Sequence, residues 1–232
     1  TYCGKEIKVA GSGNEQHIVL SQNGFIDGRL ESIEVSKTRM KELDDRATPD
    51  ELTDYRSAVG SLQWLATQSR PDVAFEVNQM QKRVKDLRVH DLLRANRCIK
   101  EVKQERQDMK FFNLGETEIV VFHDASLFNS VGVEISDRDA DDILMTGRER
   151  KLVYSQKGAL IGLISKGSIN QPGGIKMNVL DWKSTTNKRV VESSLAAETH
   201  AAILAHGLGR FLQALLAEVS YGSEVICYLD DE

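Results

Sequence analysis

VESSLAAETHAAILAHGLGRFLQALL, residues 191–216, is the stretch around which the rest of the chain is organised. Leu195, Ala202, Ile203, Leu208, Phe211, Leu212, Leu215 and Leu216 recur at intervals of three and four. That spacing predicts one long helix with a wide buried face. Ser193 or Ser194 is suited to cap its first turn, because a hydroxyl oxygen accepts one of the backbone N–H groups that a helix start leaves unbonded. Past the two serines, Glu198 is the one carboxylate in an otherwise uncharged first half of the helix, a turn or so in and close to the apolar stripe. The helix dipole favours an acid there. Burying that acid alone would cost several kcal/mol or more, so it needs either solvent or a partner.

Working outward, strand-like runs flank this helix. Met109–Leu114 and Glu118–Phe122 read as strands around Gly115. Lys157–Ser165 and Ile175–Trp182 read as two more, and Glu224–Leu229 as a last. Strands, a long helix and a further strand predict an α/β domain with a mixed sheet over residues 111–232. Ser136–Asp142 reads as a polar insertion or loop.

The first 110 residues have another character. Lys5–Val9 and His17–Leu20 are short apolar runs around Gly11-Ser12-Gly13-Asn14, which predicts a hairpin. Ser21 is placed to cap a helix from Gln22 to about Glu31. Residues 33–51 lack apolar periodicity and read as a loop, with Thr48-Pro49-Asp50 as a helix start. Tyr55, Val59, Leu62 and Leu65 then recur at helical spacing, and Arg70-Pro71-Asp72 ends that helix and begins another. Val73, Val77, Met80 and Val84 mark the second, to about Lys85. Leu92, Leu93, Cys98 or Ile99, and Val102 mark a third from about His90 to Glu105. Periodicity alone makes this a packed helical segment without chemistry.

Composition narrows the class. With 41% hydrophobic and 28% charged residues the chain is ordinary for a globular protein. No apolar run approaches a membrane span, so no membrane partner is expected. Three scattered cysteines, Cys3, Cys98 and Cys227, have neither metal spacing nor a disulfide pattern, and point to a reducing compartment. The start lacks a methionine and the end follows an apolar run, so a piece of something longer is expected. Net charge is -5, but it is unevenly spread: residues 82–110 hold ten Lys/Arg against five Asp/Glu, and residues 111–232 hold 11 against 17. A basic stretch ahead of an acidic domain suits phosphate contacts at one and cations at the other.

Three acids stand where solvation explains them poorly. Asp124 follows Ile119-Val120-Val121-Phe122, and Asp230 follows Val225-Ile226-Cys227-Tyr228-Leu229; each is expected at the C-terminal end of a strand. Ligands of α/β sheets gather off those ends, and Glu198 begins the helix between. Two unit charges about 4 Å apart repel by about 4 kcal/mol at an effective dielectric near 20. Three carboxylates therefore converge only around a cation or when some are protonated. An oxygen-only donor set selects a hard ion, Mg²⁺ or Mn²⁺. Two such ions about 4 Å apart would clamp the oxygens of a phosphodiester. His123, His200 and His206 invite a general-base reading; on an apolar helix, His200 and His206 are expected instead to be hydrogen-bonded structural residues. Trp64 and Trp182 are expected in the core or against the sheet.

Several blocks resemble a known family. Asp54–Leu65 (DYRSAVGSLQWL) followed by Ser69–Val73 (SRPDV) resembles the YRSxxGxLxYLxxxTRPD block of copia-type retrotransposon polyproteins. Asp181-Trp182-Lys183-Ser184 through Glu192–Thr199 (ESSLAAET) is similar to the SWKSKKQ…SSTEAEY block of their ribonuclease H domain. His123-Asp124-Ala125-Ser126 resembles its first-strand SDA(D/S) motif, and Tyr228-Leu229-Asp230-Asp231 its cD(N/S) motif. Tyr2–Ile7 and Ile18–Phe25 are similar to the family's FLGxEI…ILSQxxY segment. The likeness runs nearly end to end and in order.

The resemblance implies the end of a reverse transcriptase over residues 1–110, a hairpin and helical thumb or connection. A ribonuclease H-like domain would follow over 111–232. It implies metal-ligating, catalytic roles for Asp124, Glu198 and Asp230, with two Mg²⁺ or Mn²⁺ ions as cofactors. The reaction would be hydrolysis of the RNA strand of an RNA–DNA hybrid, read by shape, 2′-hydroxyls and phosphates. Arg94, Arg97, Lys183 and Ser184 are the candidate nucleic-acid contacts, the rest of the Pol polyprotein is the implied partner, and an intracellular site, a cytoplasmic particle or the nucleus, is implied. Departures accompany the match. Ala196 replaces the first Glu of TEAE, and Ser130–Tyr154 is long and acidic. The family's fourth carboxylate and final helices have no counterpart here. A catalytically inactive remnant serving as a nucleic-acid-binding or scaffold module is the alternative, and another metal-dependent nuclease or strand-transferase with the same sheet is a third reading.

Overall fold

The computed structural model describes residues 2–132, 152–170, 172–187, 191, 193–219 and 225–229. Among them lie five helices: α1 (Asn23–Arg29), α2 (Pro49–Gln68), α3 (Ala74–Lys82), α4 (Val89–Gln104) and α5 (Ser194–Glu218). Seven strands accompany them: β1 (Glu6–Ala10), β2 (His17–Ser21), β3 (Met109–Phe112), β4 (Thr117–Gly132), β5 (Leu152–Ser165), β6 (Met177–Thr186) and β7 (Val225–Leu229). The protein is α/β. The acidic stretch 136–142 lies outside the described residues. No helix among the described residues is long and apolar enough to cross a membrane. The backbone groups into two units, residues 1–118 with 162–182, and residues 119–161 with 183–232.

In the first unit, β1 and β2 form the expected hairpin, in register from Glu6↔Ser21 to Ala10↔His17. Gly11 turns it with φ +75°, and a side chain there would run into the Glu15 backbone. Ser21 does not cap α1. Its hydroxyl bonds Glu6 Oε2, and Gln22 occupies the N-cap position. The segment expected to flank β4 around Gly115 behaves differently: β3 pairs antiparallel with β2, His17↔Phe112 to Leu20↔Met109, and closes the first sheet. The two strands around Gly115 thus belong to different sheets, because β3 takes the pairing edge that β2 offers.

Helix α2 starts where Thr48-Pro49 predicted. Thr48 Oγ1 accepts the Glu51 N–H and Glu51 Oε2 accepts the Thr48 N–H, a reciprocal cap. Tyr55, Leu62, Leu65, Val77, Met80, Leu92, Ile99 and Val102 are all but fully buried and form the core between α2, α3 and α4. Tyr55 donates its hydroxyl to Met80 O at 2.9 Å, and burial raises its pKa above the usual tyrosine range. Burial likewise pushes the Cys98 thiol up to about 12, so it packs as an inert apolar group. At the corner after α2, the buried Arg70 guanidinium holds Asp72 through Nε and Nη2, at 2.9 and 2.7 Å. Ser69 beside it donates to Gln22 Oε1 at 2.6 Å. The block 54–73 is thus rich in residues that hold helices together. Trp64, expected in the core, is 40% exposed, because Leu62 and Leu65 take the inward face of α2. Trp182 does pack, its indole N–H bonding Ala66 O at 2.6 Å. Also within this unit, Asn178 clamps Phe112, accepting its N–H at 2.7 Å and donating to its carbonyl at 2.9 Å.

The second sheet runs β6-β5-β4-β7. β4 and β7 are parallel, paired from Ile119↔Val225 to His123↔Leu229. β5 runs against both of its neighbours: the Lys166 N–H reaches Glu116 O, the Asn187 N–H reaches Ser155 O, and Gly158 sits between the Asp124 and Lys183 carbonyls. β4 is therefore an inner strand, and Ile119, Val120 and Val121 are fully buried.

Helix α5 covers the predicted stretch, capped by Ser193, whose hydroxyl accepts the Ala196 N–H. Its buried face is not the predicted one. Ala197, Ala201, Ala205 and Gly209 are buried, whereas Leu195, Ile203 and Phe211 are 76%, 64% and 67% exposed. Ala202, Leu208, Leu212 and Leu216 are half-buried, and Leu215 is exposed. Residues four apart with almost no side chain let the helix backbone come close to what it packs on, and the bulky residues are displaced to the flanks.

Candidate functional site

Glu198 lies on one flank of the small-residue stripe of α5. Its Oε1 accepts the Ala125 N–H at 3.1 Å. Among the described residues the β4–β7 register runs to His123↔Leu229, and Ala125 is two residues further along β4. The carboxylate thus satisfies a strand N–H, which fixes it beside the backbone of Asp124 and Ala125. Its other oxygen stands 3.9 Å from the buried His123 Nδ1, which has no hydrogen-bond partner among the described residues. His123 is thus a companion of Glu198 that a list of acids alone overlooks; its adjacency to Asp124 in sequence was the available signal.

Asp124 is exposed. It does not end its strand, as expected: β4 continues to Gly132, and Asp124 lies at its middle. Asp230 lies outside the described residues; in the sequence it follows Leu229, the last residue paired to β4. Among the described residues no group of three or more His, Cys, Asp or Glu is placed to hold a metal ion. The contact Glu198 makes is with the backbone N–H of Ala125 and not with the Asp124 carboxylate, which strand alternation puts on the face opposite His123.

The candidate nucleic-acid contacts separate. Arg94 is committed within its own unit: its guanidinium grips Glu76 through Nε and, at 2.8 Å, Nη2, and the pairing raises its pKa. Arg97 is exposed and shares a cavity of about 630 Å³ with Leu43, His90, Leu93 and Glu101. Ser184 accepts from Gln156 Nε2 at 2.9 Å on one face of the second sheet. Lys183, one residue earlier, belongs to the other face and lines a groove of about 510 Å³ with Lys157, Thr185, His200, Ile203 and Leu204. His200 is half-buried in that groove, and His206 is exposed. Neither sits under the helix as a core histidine would, because the alanine stripe occupies that side.

No family model matches the chain, and no curated protein matches it.

Proposed function

We propose that the chain is part of a retrotransposon reverse transcriptase with its ribonuclease H, hydrolysing the RNA strand of RNA–DNA hybrids. The observation that carries this reading is the meeting of Glu198 with the Asp124–Ala125 backbone, 73 positions apart in sequence. The strand order β6-β5-β4-β7, with three antiparallel strands, a long helix and a parallel strand beside the first, supports a ribonuclease H-like sheet. Asp124 and Glu198, with Asp230, would hold divalent ions, which when bound activate a water and stabilise the departing 3′-oxygen. The chain's own part is positional. The Ala125 N–H keeps one Glu198 oxygen on the strand, and the exposed Asp124 carboxylate is open to substrate and solvent.

The test is cleavage of an end-labelled RNA–DNA hybrid in Mg²⁺ by the 232-residue chain and by Asp124→Asn. The reading expects cutting by the former and a loss of at least two orders of magnitude in the latter. An intact substrate with both leaves the second reading, a non-catalytic nucleic-acid-binding or scaffold remnant. That reading is favoured by one observation: Glu198 Oε1 already serves as a structural acceptor for Ala125.

A further inference from the structure

We infer that the groove between α5 and the β5–β6 face is a binding subsite for the backbone phosphates of a nucleic-acid strand. The inference rests on the proposed function for its choice of ligand, but on different residues. The groove is lined by Lys157 and Lys183 from neighbouring strands, Thr185, the backbone of Thr186, Asn187, and His200, Ile203 and Leu204 from the helix, with no carboxylate among the described residues that line it.

Strand alternation explains the gathering. Gln156 donates to Ser184 and accepts from Thr186 on one face. Their neighbours Lys157, Lys183 and Thr185 therefore belong to the opposite face. The helix explains the absence of acid. Glu198 and His200 stand about 200° apart around the axis. The buried alanine stripe runs between them, so Glu198 goes to Ala125 and His200 to the groove.

Two ammonium groups beside the Thr185 hydroxyl match the charge and acceptor oxygens of a phosphodiester. The apolar wall of Ile203 and Leu204 selects among phosphate sources. A free phosphate would leave that wall uncovered, whereas the sugar of a nucleotide unit covers it. A volume of about 510 Å³ accommodates such a unit.

The test is binding of a labelled RNA–DNA hybrid to the full chain in EDTA, followed by anisotropy over a range of salt concentrations. Each lost phosphate contact on a duplex lowers the slope of log K against log salt by about 0.9. Lys157→Gln with Lys183→Gln should flatten the slope by about 1.8, and the paired Lys→Arg changes should restore it. Should the double variant melt early, Lys183→Gln alone, at an exposed position, should flatten it by about 0.9. Inorganic phosphate should compete no better than chloride at equal ionic strength. An unchanged slope, no hybrid binding in EDTA, or displacement by inorganic phosphate alone overturns the inference. Cleavage with an unchanged slope sinks the subsite and leaves the nuclease; a flattened slope without cleavage does the reverse.

Discussion

Glu51 caps its own helix while gripping a cation from the loop before it. Arg39 reaches both its oxygens, Nε to Oε1 at 3.0 Å and Nη2 to Oε2 at 2.9 Å, and also donates to Arg46 O. The Arg39 guanidinium, helped by the Thr48 N–H, holds the Glu51 carboxyl below its ordinary 4.5. A depressed carboxyl pKa contributes stability that is complete above the unfolded value and fades as pH falls through the folded one. Glu51→Gln should therefore cost about 2 kcal/mol at neutral pH, the worth of hydrogen bonds to a charged group. The difference between the two proteins should shrink below about pH 4.5, in chemical denaturation repeated across pH. The pairing of Thr48 with Glu51 could be read directly from sequence, because a capping box is local. Arg39 could not, since nothing in residues 33–47 marks which charge turns back. The same contrast holds at the candidate site. Asp124 and Glu198 were legible as acids out of place, but the Ala125 N–H that Glu198 accepts was not, since every residue carries such a group and only the packing of α5 on the sheet selects one.

At the level of elements, Gly162 governs how closely β5 and β6 lie. A Cβ there would overlap the Met177 side chain and the Asn178 carbonyl oxygen. The methionine can swing aside, but the carbonyl belongs to backbone whose side chain clamps Phe112. Gly162→Ala should destabilise the protein by about 1–3 kcal/mol, as overpacking does, and hydrogen exchange should speed at the amides of β6 and at Phe112. Gly158, with nothing nearer than 3.9 Å, should accept alanine at little cost. Helices of the first unit were legible because their apolar spacing coincides with their buried faces: Tyr55, Val59, Leu62 and Leu65 are all buried. Helix α5 shows where that rule breaks. Large side chains dominated the periodicity, yet the four-residue spacing of Ala197, Ala201, Ala205 and Gly209 was in plain view and marks the face that packs. The pairing of β3 with β2 was beyond reach, since some 90 intervening residues must fold before those edges meet.

For the molecule as a whole, the division into units does not follow one cut in the chain. The first unit takes residues 1–118 and also 162–182, so β5 and β6 each contribute to both. A polypeptide ending at Glu118 would lack Asn178, which satisfies both polar groups of Phe112, and Trp182, which bonds Ala66 O. Residues 1–118 alone should melt below the first transition of the full chain in calorimetry, and adding the 162–182 peptide in trans should raise that transition. Composition foreshadowed none of this, because the sequence changes character near residue 110 while the contacts interleave. One consequence belongs to optics. The chain has two tryptophans, Trp64 and Trp182, and both lie in the first unit. Intrinsic indole emission therefore comes from residues of that unit: Trp64 offers a ring to collisional quenchers, and Trp182, at the seam on β6, a tethered one whose colour shifts when its bond to Ala66 breaks. The unit that carries Asp124 and Glu198 holds no tryptophan of its own, so one placed on α5 would add a signal distinct from that of Trp64 and Trp182.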